Sequence, residues 1–84
     1  MSTFELSNSV SNKESFIEFL ELLAKHCKSN SNAISNTKTI DFIEAAAAWL
    51  EDSDGFYQNT GQEQPKIDDW KALAHIFSAA LIYE

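Results

Sequence analysis

The stretch Trp70-Lys-Ala-Leu-Ala-His-Ile-Phe-Ser-Ala-Ala-Leu-Ile-Tyr83 constrains this chain more than any other, because it is apolar around most of a helical circumference. At about 100° per residue, Trp70, Leu73, Ala74, Phe77 and Leu81 form one face, with Ile76, Ala80 and Tyr83 beside it. Lys71, His75 and Ser78 leave a narrow polar strip. A helix with so small a wet side needs neighbours on its other sides. The segment is therefore expected to be the central helix, with Trp70 and Phe77 in the core.

The covers are sought upstream. Ser11-Asn12-Lys13-Glu14 has the form of a capping box ahead of an apolar periodic run. From Phe16 a helical wheel gathers Phe16, Ile17, Phe19, Leu20, Leu23, Ala24 and Cys27 on one face and sets Glu14, Glu18, Glu21 and Lys25 opposite. The short polar residues from Ser29 to Thr37 favour turns over helix interiors, so they form a loop. Thr39 is the expected cap of a second helix, with Phe42, Ala46, Trp49 and Leu50 inward and Glu44, Ala48 and Glu51 outward. Asp52-Ser-Asp-Gly55 is expected to end it, with Gly55 in the left-handed position. Residues 56–67 read as a long connection tied down by Phe56, Tyr57 and Ile67, with room for a short helical turn. Pro65 stiffens its exit, and Asp68 or Asp69 caps the last helix.

These signals predict one all-α domain over residues 1–84, a small bundle of three main helices at about 12–28, 40–53 and 69–83. Residues 1–11 are an arm or coil. An extra helical turn fits within 56–66. The chain has 84 residues, 44% of them hydrophobic and ten aromatic, which is the composition of a folded globule and not of a disordered tail.

Cys27 is the lone cysteine, so no internal disulfide can form, and a reducing compartment fits best. The N-terminus lacks the basic start and apolar run of a signal peptide. No segment has the length and apolarity of a membrane span, so the expectation is a cytoplasmic protein without membrane contact. The net charge is −7 and all six cations are lysines. Without arginine or a basic face, binding to nucleic acid is not expected. The charge is also uneven: from Asp41 to Asp69 eight carboxylates face Lys66 alone, while the remainder balances.

No catalytic or cofactor motif emerges. Asp52-x-Asp54-Gly55 suggests a calcium loop, but with Gly55 at loop position six, Leu50 takes position one and Gly61 position twelve, so essential ligands are missing. His26, Cys27 and His75 lack metal-ligand spacing, and Cys27 lies within an apolar stripe, where a buried structural thiol is expected. A thiol nucleophile would need an orienting partner and an oxyanion hole, and neither is marked. The expectation is no enzyme, no cofactor and no metal.

The run Phe42-x-x-x-x-Ala47-x-Trp49-Leu50-Glu51-Asp52-x-Asp54-Gly55-x-Tyr57, followed by Trp70-x-x-Leu73-Ala74-x-x-Phe77-x-Ala79-Ala80-x-x-Tyr83-Glu84, resembles a widespread family of small acidic all-helical bacterial proteins. The likeness spans Lys13 to Glu84. It further resembles the immunity proteins of contact-dependent growth inhibition toxins. By analogy of fold, the resemblance implies an immunity protein that occludes a cognate toxin domain, a ribonuclease-type nuclease. The partner is then a protein with a basic surface, met through Glu51, Asp52, Asp54, Phe56, Tyr57, Glu63, Asp68 and Asp69. The alternatives are a helical adaptor or regulatory interaction domain and, third, a small hydrolase.

Overall fold

The structure, a computed structural model, describes residues 3–83. Among these it is all-α, built from α1 (Thr3–Ser7), α2 (Lys13–Ser29), a 3-10 turn (Ser31–Ala33), α3 (Thr39–Asn59) and α4 (Trp70–Ala80). Contacts divide the chain into two compact units whose boundary falls between Ala48 and Trp49, within α3.

In the first unit, residues expected as arm or coil contain a helical turn. Serine hydroxyls hold it together locally: Ser7 Oγ donates to the carbonyl of Phe4 at 2.6 Å, and Ser9 Oγ to that of Leu6 at 2.8 Å. The turn packs on α2, and Leu6, Ser9, Ser15, Phe19 and Leu22 line the hollow between them.

The capping box of α2 sits one residue later than Ser11 and Glu14 suggest. Extended Asn12 accepts the Ser15 amide at 2.7 Å, and Ser15 Oγ accepts the Asn12 amide at 3.0 Å. Asparagine caps as well as serine, and the Ser15 hydroxyl reaches back as a glutamate carboxylate would. At the other end the Asn30 backbone and side-chain amides both donate to the His26 carbonyl, at 3.0 Å each, which closes α2 ahead of the polar loop.

α3 corrects the reading of its own end. It passes through Asp52-Ser-Asp-Gly55 without a break and stops at Asn59, so the first residues assigned to the connection are helical. Thr39, expected as its cap, is its first helical residue. The glycine that ends α3 is Gly61, at φ 69°. Gln62 donates its amide to the Tyr57 carbonyl at 2.9 Å and Gly61 to Gln58 at 3.2 Å, the paired bonds of a Schellman motif.

The two glycines should therefore respond oppositely to alanine. A Cβ at Gly55 meets nothing within 4 Å, so Gly55→Ala should raise unfolding free energy by about 0.5–1 kcal/mol. Gly61→Ala forces a side chain into the left-handed region and should lower it by about 1–2 kcal/mol. Urea unfolding of both variants reads the signs, and a destabilised Gly55→Ala would return the helix end to Gly55.

α4 begins as expected, with the Asp69 carboxylate accepting the Ala72 amide at 2.9 Å. It ends at Ala80, short of Tyr83. Its apolar faces are not enclosed: Trp70 is 51% exposed and Phe77 50%, where core positions were expected. A helix apolar on two adjacent faces needs two neighbours, and its own unit offers only the last turns of α3 and a connecting segment. Cys27 is likewise exposed, against the expectation of a buried thiol. Among the described residues no hydrophobic side chain is buried, and Ser53 alone is, at 7%.

Candidate functional site

The burial of Ser53 follows from the register of α3. Trp49, Phe56 and Tyr57 lie four residues before, three after and four after it, so all three rings share its face of the helix. Their centroids are 5.5 Å apart for Trp49 and Phe56, 6.3 Å for Trp49 and Tyr57, and 5.1 Å for Phe56 and Tyr57. The two contacts of Tyr57 are edge-to-face, the arrangement favoured by ring quadrupoles. Beneath the rings, Ser53 Oγ donates to the Leu50 carbonyl at 2.7 Å, so its hydroxyl is satisfied where it is covered.

The extension of α3 rearranges the eight residues singled out from sequence. Phe56 and Tyr57 are half-buried and join Trp49 on the apolar face. On the helical wheel Asp52 and Asp54 flank that face from either side, and Glu51 lies opposite it. All three carboxylates are exposed. Glu63, Asp68 and Asp69 are exposed in the non-helical segment between α3 and α4, where Asp69 is committed to capping α4. That segment folds back on α3 through Gln64, whose Nε2 donates to the Asp54 carbonyl at 3.5 Å. The structure thus separates an aromatic cluster from the carboxylates and places Asp52 and Asp54 along its two margins.

In the first unit Leu20, Leu23, Cys27, Ile34 and Phe42 line an apolar groove of about 530 Å³ between the end of α2 and the start of α3, together with Lys28 and Lys38. The periodic face of α2 announces half of it. The other half depends on the turn after Asn30, which brings Ile34 and Phe42 alongside. No set of three or more histidine, cysteine or carboxylate residues able to hold a metal ion occurs among the described residues. None of the helices among them is long and apolar enough to cross a membrane.

No curated protein and no solved structure matches this chain. A family model described as a family of unknown function, DUF7660, matches residues 12–84, almost the same stretch whose motifs carry the resemblance noted from sequence. The match brings with it no toxin, no partner and no activity. It covers α2, α3 and α4 in full, with the aromatic cluster and the carboxylates around it, and on that extent the chain belongs to the DUF7660 family.

Proposed function

We propose that this protein is an immunity protein that binds and neutralises a cognate bacterial toxin domain, a ribonuclease-type nuclease, by stoichiometric occlusion. The supporting observation is the acidic tract from Asp41 to Asp69, whose eight carboxylates are all exposed and oppose Lys66 alone. A nuclease presents a basic cleft to its substrate, and an acidic partner gains steered association and complementary pairing there. Asp52, Asp54 and Glu51 on α3 and Glu63, Asp68 and Asp69 after it supply the charge in this reading, and Phe56 and Tyr57 the apolar contact beside it. The action is blockade without chemistry, in the cytoplasm, where such a toxin meets its substrate.

The same proposal includes the packing of α2, α3 and α4 as a three-helix bundle with α4 innermost. Its support is the apolar periodicity of the three helices and the need of a folded chain to bury enough apolar surface to offset its conformational entropy.

Co-expression with a candidate ribonuclease-type toxin domain from the same genome tests the function. The wild-type protein should restore growth and co-purify with the toxin domain at a one-to-one ratio. Growth arrest despite matched expression, with no complex recovered, would refute immunity to that toxin.

A further inference from the structure

We draw no further inference here: the strongest candidate, the apolar groove between the end of α2 and the start of α3 lined by Leu20, Leu23, Cys27, Ile34 and Phe42, is a bare helix-packing face and nothing in the structure shows what covers it.

Discussion

If the proposed immunity function holds, reversing Asp52, Asp54, Asp68 and Asp69 together to lysine should slow association with the proposed toxin domain about ten- to a hundredfold at low ionic strength. The four lie in the tract that carries the net charge, and all are exposed. Their loss therefore removes long-range attraction without opening a core. The difference should shrink as salt rises, because the Debye length falls to about 8 Å at physiological ionic strength. Asp69 accepts the Ala72 amide, so its reversal also costs about 1 kcal/mol of helix capping, and circular dichroism must show that the variant stays helical. Reversal of Glu14, Glu18 and Glu21 on α2, three sites against four, is the control and should matter less. Stopped-flow mixing at two salt concentrations reads both variants. Equal association rates for wild-type and four-lysine protein would sink the acidic tract as the docking surface.

If α4 lies innermost in the bundle proposed above, Phe77→Ala should cost about 3–5 kcal/mol of unfolding free energy, the loss typical of a fully covered phenylalanine. The expectation belongs to the proposed bundle. A ring that keeps half its surface in water, as Phe77 does at 50% exposure, forfeits only part of its transfer free energy. Guanidinium titration of the variant separates the two, and a change below about 0.5 kcal/mol would remove Phe77 from any core. Cys27 gives a parallel test, since it lies on the α2 face that the proposed bundle would cover. In the proposed bundle it would label slowly in the native protein and rapidly after unfolding, whereas its exposure here gives rapid labelling in both states. Native labelling at the unfolded rate would mean that this face of α2 stays open.

What the sequence disclosed was mostly local. The start of α4 was legible because an N-cap needs only a carboxylate three residues ahead of an amide, and Asp69 meets Ala72 in that way. The start of α2 was nearly so, displaced because Asn12 and Ser15 perform the reciprocal capping that Ser11 and Glu14 also spell. The end of α3 lies beyond the point its composition suggests, for a physical reason. A glycine among short polar residues costs a helix about 1 kcal/mol, which makes Gly55 look like a stop. Ring contacts between Trp49 and residues seven and eight further on exist only if the helix continues, and they favour its passage through Gly55. That continuation rotates Phe56 and Tyr57 onto the face of Trp49, so the aromatic and acidic parts of the candidate site could not be sorted by sequence distance. The acidic tract itself was legible because net charge requires no fold. The turn at Thr3–Ser7 left little trace, since Phe4 and Leu6 alternate as a strand would while serine hydroxyls close the helix.

α3 carries five carboxylates and no cation along its whole length from Thr39 to Asn59. Asp41 and Glu44 stand three residues apart, as do Glu51 and Asp54, and each like-charged pair of this spacing costs a helix a few tenths of a kcal/mol. The helix dipole favours Asp41 in the first turn, but no cation on the helix relieves the pair at Glu51 and Asp54. Whatever brings positive charge alongside α3 therefore does two things at once, neutralising the carboxylates and making the helical state easier to keep. Amide hydrogens of the turns around Asp52 should exchange more slowly when a basic domain is bound, and added salt should slow them part of the way. Binding of any such counter-charge and the local order of α3 would then be one linked equilibrium, in which the helix is tightest when its counter-charge is in place.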